Sequence, residues 1–199
     1  MARLTVGLLL PPELADARVA DAAGGTASLR SYVGNKRALV VFLRHFGCVG
    51  CSQQVAVLTP RLLELDQLGV KTFLVGNGLP EHIDAFVERH QLGDKTVMVL
   101  TDPSRRAFKA AGFRRSVWST FGVRAIWDAL RAFGAGHRQY GLEGDPFQQG
   151  GVVLVDEHGR VAFHHENRTL ADYTEPGDVV EAALRVFVKQ EHAAKRGVV

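Results

Sequence analysis

The sequence predicts an α/β domain, and three features of its 199 residues point to this class of fold. Residues 38–43 form a continuous apolar run rich in valine, which is typical of a strand buried on both faces of a sheet. Helical periodicity follows, and strand-like and helix-like segments then alternate. Because a strand–helix–strand order favours parallel pairing, we expect a central parallel sheet covered by helices, with an antiparallel hairpin added late in the chain.

The N-terminal 37 residues predict an extension that precedes this central unit. Two short strands flank a turn at Gly24 and Gly25, and a second turn at residues 34–36 leads into the strand at 38–43. After that strand, apolar residues separated by three, four and three positions mark one face of a helix, with a kink expected at Pro60. These apolar residues are Val55, Leu58, Leu62 and Leu65.

The middle of the chain predicts two more strands, at residues 70–75 and 97–100, each followed by a helix. Residues 80–81 are expected to open the first of these helices. Its inward-facing residues are Ile83, Phe86 and Val87. Asp102 and Pro103 predict the N-cap and the first-turn proline of the second helix.

The C-terminal part predicts a hairpin and a final helix. Residues 152–155 and 160–164 flank the turn-forming residues 156–159, which is the pattern of a hairpin. The helix is expected to begin at Asp178, and residues 191–199 predict its frayed end. Its inward-facing residues are Val180, Leu184 and Phe187.

Residues 114–143 fit none of these elements and predict a helical insertion before the hairpin. Within them, residues 114–139 carry five arginines against one aspartate, together with apolar residues at helical spacing. A helix packed on the domain accounts for this pattern. A lid over an apolar substrate, a dimer surface and a helix lying on a membrane surface remain open.

Composition excludes several classes of protein. The formal net charge of +3 is too small to indicate a nucleic-acid partner. The two cysteines lie three positions apart and cannot cross-link distant segments, as a secreted disulfide scaffold requires. No segment approaches the roughly 18 apolar residues of a membrane span, and Pro11 and Pro12 interrupt the apolar run near the N-terminus. We therefore expect one cytoplasmic domain over residues 1–199, without stable membrane insertion.

The two cysteines, Cys48 and Cys51, stand between the buried strand and the helix that follows it. A helix N-terminus offers unpaired N–H groups and the positive end of a dipole, both of which stabilise a thiolate. Arg44 and His45 add positive charge at the end of the strand. The order strand, Cys-x-x-Cys helix, strand, helix, hairpin, helix is that of a thioredoxin-like fold, and the motif in this position indicates thiol redox chemistry.

A zinc site is the main alternative interpretation of this motif. His45, Cys48 and Cys51 supply three ligands, and His164 or His165 is the candidate for a fourth. No second close pair of ligands accompanies them, so we expect no metal. Gly47 and Gly50 also open the backbone around the sulfurs, which a pair of inert core cysteines would not require.

Three blocks of sequence resemble a known family. They are FLRHFGCVGC at residues 42–51, the Phe-Arg-Arg sequence at 113–115, and GDPFQQGG at 144–151 followed by VVLV. They are similar to the peroxiredoxin-like branch of the alkyl hydroperoxide reductase and thiol-specific antioxidant family, which includes prostamide/prostaglandin F synthase. The resemblance covers roughly residues 10–190.

The resemblance implies a thioredoxin fold with a peroxiredoxin-type N-terminal extension. It also implies thiol-dependent reduction of a peroxide, an endoperoxide or a disulfide, with no bound cofactor and with an external reductant of the thioredoxin or glutathione type. The expected partners are therefore a small-molecule substrate and a thiol reductant protein, and a homodimer remains open. The alternative is a non-catalytic binding module of the same fold that holds zinc or a partner protein.

The chain departs from the typical peroxiredoxin motif Pro-x-x-x-Thr-x-x-Cys. With the motif cysteine on Cys51, the proline position holds Arg44 and the threonine position holds Cys48. The arginine that typical members place before the penultimate strand is replaced by Gln149 and Gly150. Cys51 is the attacking sulfur in this register, whereas Cys48 attacks in the register of thioredoxin.

We expect Cys48 to attack, to be the more exposed sulfur, and to be resolved by Cys51, with Arg44 completing the catalytic set. Substrate contacts are expected from residues on both sides of the site. These are His45, Gly47, Gln148, Gln149 and Gly150. For residues 144–151, an ordinary glycine-containing turn is the alternative.

Overall fold

The computed structural model describes residues 4–116, 143–168, 172 and 174–196. Within them the chain forms one seven-stranded mixed sheet with the strand order β2-β1-β5-β4-β3-β6-β7. The strands are β1 (Arg18–Ala20), β2 (Thr26–Ser28), β3 (Arg37–Phe42), β4 (Val70–Gly76), β5 (Val97–Thr101), β6 (Gly151–Val155) and β7 (Val161–Glu166).

Helices cover both faces of this sheet. They are α1 (Pro12–Ala15), α2 (Leu29–Val33), α3 (Val49–Leu58), α4 (Leu62–Gln67), α5 (His82–Arg89), α6 (Arg106–Ala110) and α7 (Pro176–Arg196). A 3₁₀ turn, Thr59–Arg61, separates α3 from α4. The kink expected at Pro60 is thereby confirmed, because proline removes a backbone donor from the helical ladder. No helix within the described ranges is long and apolar enough to cross a membrane.

Strand β3 lies at the centre of the sheet and is buried on both faces. It pairs in parallel with β4 and antiparallel with β6. Leu39 and Val41 enter one core, which also contains both cysteines and residues of α3, α4, α5 and α7. Val40 and Phe42 enter the other core, beneath α1, α2 and α6. This two-sided burial explains the uninterrupted apolar run in the sequence.

The expected α/β topology is confirmed. Strands β3, β4 and β5 are parallel, and β6 and β7 form the antiparallel hairpin. The N-terminal extension places β1 antiparallel to β5 through the Ala20–Thr101 pair and adds β2 at the sheet edge. Of the insertion expected at residues 114–143, residues 117–142 lie outside the described part of the chain.

Three local expectations were wrong, one of them the start of α7, which begins at Pro176 rather than at Asp178. Helix α6 begins at Arg106, later than Asp102 and Pro103 predicted, and Arg105 precedes it in a left-handed conformation. Asp102 still caps this helix, since its Oδ2 accepts from the backbone N–H of Ala107 at 2.7 Å. In α7, Leu184 is 41% exposed rather than inward-facing. Among residues 176–188 of that helix, the buried ones are Val179, Val180 and Ala183.

Candidate active site

The cysteine pair lies where the carboxyl end of β3 turns into helix α3. Cys48 is the N-cap residue of α3, and its carbonyl accepts the first helical hydrogen bond from the N–H of Ser52 at 3.0 Å. Cys51 lies in the first turn of the helix. This is the placement expected from the sequence, and it directs the backbone N–H groups of Gly50 and Cys51 toward the Cys48 sulfur.

Both cysteines are reduced and buried, with 1% of Cys48 and 3% of Cys51 exposed. The expectation that Cys48 is the more exposed sulfur was therefore wrong. The whole of residues 41–52, and not the sulfurs alone, is buried. A helix N-terminus at a sheet edge does not by itself expose a side chain, because packing from other segments decides its access to solvent.

The two thiols have opposite ionisation tendencies. A hydrogen bond from the Cys51 thiol, the positive charge of Arg44 and the backbone N–H groups of Gly50 and Cys51 outweigh burial and lower the pKa of Cys48 from 9.0 to about 6. Burial raises the pKa of Cys51 well above 9.0, and the hydrogen bond to Cys48 and the negative charge of Cys48 act in the same direction. These opposite shifts favour ionisation at Cys48 and a protonated thiol at Cys51.

Arg44 links the cysteine pair to a distant segment of the chain. It is 2% exposed, and its Nη2 donates to the carbonyl of Pro146 at 2.6 Å. Its backbone N–H donates to Sγ of Cys51 at 3.2 Å. A buried guanidinium next to two sulfurs supplies the positive charge that a thiolate needs.

His45 and Gly47 shape the turn that leads into Cys48. The carbonyl of His45 accepts from the N–H of Cys48 at 3.2 Å, with Gly47 inside this turn. Burial, followed by the charge of Arg44, lowers the pKa of His45 to about 4, while Glu143 acts in the opposite direction. His45 is therefore a neutral imidazole at pH 7 and does not add the positive charge expected of it from the sequence.

The second sequence block, residues 143–150, packs against the loop that carries the cysteines. Gln148 and Gln149 are both buried. Nε2 of Gln148 donates to the backbone carbonyl of Gln149 at 2.9 Å, and Nε2 of Gln149 donates to the backbone carbonyl of Phe147 at 3.2 Å. A Cβ on Gly150 would lie 2.0 Å from the carbonyl oxygen of Phe42. Gly150 is thus required for close backbone approach to β3, where the sequence suggested room for substrate.

Sequence reasoning missed three residues that join these segments. Asn77, at the end of β4, is buried, and its Oδ1 accepts from the N–H of Asp145 at 2.7 Å while its Nδ2 donates to the carbonyl of Arg44. Arg89 of α5 binds both carboxylate oxygens of Glu143 at 2.9 and 2.6 Å. The carbonyl of Glu143 accepts from the N–H of Phe46. The position of Asn77 directly after a buried strand was the available signal.

The zinc alternative has no support in the described residues, where no group of three or more His, Cys, Asp or Glu side chains is arranged to hold a metal ion. His165, a candidate fourth ligand, instead lies 3.1 Å from Oδ1 of Asp172. His164 pairs with Val153 in the hairpin.

Fold and site together define a class of protein: a thioredoxin-like domain with a cysteine pair at the N-terminus of the helix that follows its central strand. The family model described as AhpC/TSA antioxidant enzyme matches residues 57–169, more than half of the chain. The chain therefore belongs to this family. The matched residues begin after Cys51, so the family match does not itself include the cysteine motif.

Individual relatives agree with this assignment. Human peroxiredoxin-like 2C is 26% identical over 191 residues, covering 88% of this chain and 80% of the relative. Human prostamide/prostaglandin F synthase is 29% identical over 158 residues, covering 75% of this chain and 76% of the relative. The chloroplastic thioredoxin-like protein AAED1 of Arabidopsis thaliana is 29% identical over 146 residues, covering 69% of this chain but only 58% of that protein.

Among solved structures, peroxiredoxin Q of Xanthomonas campestris superposes with a TM-score of 0.64 at 15% identity, covering 90% of this chain and 97% of that one. This likeness shows the fold. The resemblance inferred from the three sequence blocks is thus confirmed. Family membership supports a thiol-dependent function of the peroxidase type.

Proposed function

We propose that this protein is a thiol-dependent oxidoreductase of the peroxiredoxin-like type, which reduces a peroxide, an endoperoxide or a disulfide through Cys48 and Cys51. The observation that carries the proposal is the pairing of a helix-capping cysteine of lowered pKa with a second, protonated cysteine one turn away. A thiolate is the reactive form of cysteine, and a neighbouring thiol can resolve the oxidised product.

With a peroxide, the reaction proceeds in two steps. The Cys48 thiolate attacks one peroxide oxygen, the O–O bond breaks, and the other oxygen leaves as an alkoxide that takes up a proton from water. Cys48 is thereby oxidised to a sulfenic acid. The Cys51 sulfur then attacks the Cys48 sulfur, its proton joins the departing hydroxide to give water, and a disulfide forms. Two electrons from an external thiol reductant, of the thioredoxin or glutathione type, restore both thiols.

Because both sulfurs are buried, a substrate can reach them only if a neighbouring segment moves. Residues 143–146 pack against the loop at residues 44–46 through the Phe46–Glu143 and Arg44–Pro146 hydrogen bonds. We propose that this segment moves outward to admit the substrate. Its anchors, Asn77 and the Arg89–Glu143 ion pair, then set how often the site opens.

The second candidate function is a binding module that keeps the fold without turnover. The burial of both sulfurs favours it, because reactive cysteines are usually at least partly exposed. In that case the neutral His45 and the buried Arg44 would serve only to pack the loop.

Intact-protein mass after one equivalent of hydrogen peroxide distinguishes the two functions. The wild-type protein is expected to lose two hydrogens, as a disulfide forms. Cys51→Ser is expected to gain one oxygen, or one adduct when a small thiol is added, because nothing resolves the sulfenic acid. Cys48→Ser is expected to stay unchanged on the same timescale, since the remaining thiol is protonated.

The reverse pattern, with the adduct on Cys51 in the Cys48→Ser protein, would mean that Cys51 is the attacking sulfur. The site would then follow the peroxiredoxin motif, in which the motif cysteine aligns with Cys51. Wild-type protein that stays unmodified after excess oxidant, while the urea-unfolded chain reacts, would reject the oxidoreductase and leave the binding module.

A further inference from the structure

A cavity of about 630 Å³ opens beside the cysteine site and is lined by positive charge. Its walls come from the segment before α6, the residues after α6, the segment before β6 and the residues after β7. Of the residues that the structure describes, five with cationic side chains line it: Arg105, Lys109, Arg114, Arg115 and Arg168. Phe113 gives it an apolar part, and Gln148 and Gln149 give it polar amides.

Among the described residues, carboxylates pair with the side chains of three of these five cations. Asp145 pairs with Arg105 and with Arg115, and Glu166 pairs with Arg114. Within the described residues, no carboxylate lies within 4.0 Å of the side-chain nitrogens of Lys109 or Arg168. A concave surface that keeps an excess of one charge concentrates the field and attracts ligands of the opposite charge.

One short segment separates this cavity from the sulfurs. Asp145 is held from the cavity side by Arg105 and Arg115, while the next residue, Pro146, is held from the cysteine side by Arg44. Gly150, directly after the cavity residue Gln149, packs on the backbone of Phe42. A small molecule whose anionic end lies in the cavity therefore has its other end close to Pro146, which is hydrogen-bonded to Arg44 beside the cysteine pair.

We propose that the cavity binds the carboxylate of the small molecule that reacts with the cysteine pair, an inference that rests on the proposed function. The Lys109 and Arg168 side chains supply the charge that holds the carboxylate. Two sources share this chemistry: an organic peroxide that bears a carboxylate, and a low-molecular-weight thiol reductant such as glutathione.

Isothermal titration calorimetry on the full chain separates the sources without requiring turnover. One arm titrates N-acetyl-S-methylglutathione, which has no reactive thiol and no ammonium group, against its uncharged diethyl ester. The other titrates octanoate against methyl octanoate. The anion is expected to bind about tenfold or more tightly than its ester, with affinity that falls as salt is added. The arm with the tighter binding identifies the source.

Charge-removal variants test the location. Lys109→Gln and Arg168→Gln are each expected to weaken anion binding about three- to tenfold. Arg106→Gln is the matched control, because Arg106 is an exposed cation on the same helix as Lys109 that does not line the cavity. Equal binding of anion and ester in both arms, or equal loss in the Arg106 variant, would overturn the proposal.

Oxidation of the wild-type pair by hydrogen peroxide, followed by reduction with dithiothreitol, keeps the two proposals distinguishable. If the pair cycles but neither anion is preferred, the carboxylate site fails and the proposed function stands. If an anion is preferred but the pair does not oxidise, the proposed function fails, and the assignment of the anion to the reacting molecule fails with it.

Discussion

The ionisation of Cys48 is the property on which the proposed chemistry depends, and Arg44→Met is the substitution that tests it. The lowering of the Cys48 pKa from 9.0 to about 6 corresponds to about 4 kcal/mol between the two protonation states. At pH 7, a thiol of pKa 6 is about nine-tenths ionised, against about one-hundredth for a thiol of pKa 9. One adjacent opposite charge lowers the pKa of an acid by about one to three units.

Removing the Arg44 charge is therefore expected to raise the pKa of Cys48 by about one unit or more, and to reduce the thiolate at pH 7 to about half or less. Methionine fills much of the same volume without charge, although it leaves the carbonyl of Pro146 without the Arg44 donor. We expect the rate of oxidation per folded molecule to fall with the thiolate fraction, and more strongly than the stability falls.

The ultraviolet absorbance of the thiolate, followed against pH, measures this ionisation without requiring reagent access to a buried site. The wild-type protein is expected to show a midpoint near pH 6 that is missing in Cys48→Ser. A wild-type midpoint near 9, or the low midpoint persisting in Cys48→Ser, would refute the assignment of the thiolate to Cys48. A collapse in thermal stability of Arg44→Met with an unchanged midpoint would make Arg44 a structural residue only.

Three further perturbations test the surroundings of the pair. His45 is buried, and its pKa is lowered from 6.5 to about 4. As the pH falls below 6.5, His45 is therefore protonated in the unfolded chain but stays neutral in the native chain, which destabilises the native state. In urea unfolding, this residue should lower the free energy of unfolding by about 2 kcal/mol between pH 7 and pH 5. The free energy of unfolding of His45→Gln should fall less than that of the wild type over this range. Equal decreases in the two proteins would contradict the burial of a neutral His45. Glu143→Gln breaks the ion pair with Arg89 and should speed maleimide labelling of the cysteines about five- to thirtyfold. The control, Glu64→Gln, breaks the exposed ion pair with Arg61 and should leave the labelling rate unchanged. Equal labelling rates in the two variants would mean that residues 143–146 do not control access to the cysteines. Gly150→Ala places a Cβ against the carbonyl of Phe42 and should destabilise the fold by about 2 kcal/mol or more in the same unfolding assay. Gly177→Ala, in open space at the start of α7, should be neutral. A Gly150→Ala protein as stable as the wild type would show that the close approach to Phe42 does not require glycine.

The family and much of the fold were predictable because they depend on local patterns. A two-sided apolar run, a cysteine pair after it and helical spacing beyond it specify a strand, a helix N-terminus and a helix from neighbouring residues alone. The errors are also local. Helix α6 begins later than predicted because the Asp102 carboxylate accepts a hydrogen bond from the backbone N–H of Ala107, five residues further along the chain. The inward face of α7 turned by part of a helical turn, so that Ala183 rather than Leu184 meets the core.

What the sequence determined by itself is that two thiols stand at a helix N-terminus beside Arg44, within a thioredoxin-like α/β domain. Only the tertiary structure decided their chemical state. Burial raises the pKa of Cys51, while hydrogen bonds and the Arg44 charge lower that of Cys48. The contacts that hold residues 143–146 beside this loop join residues far apart in the chain, such as Arg44 with Pro146 and Arg89 with Glu143. Desolvation and charge depend on which segments meet in space, and spacing along the chain does not record this.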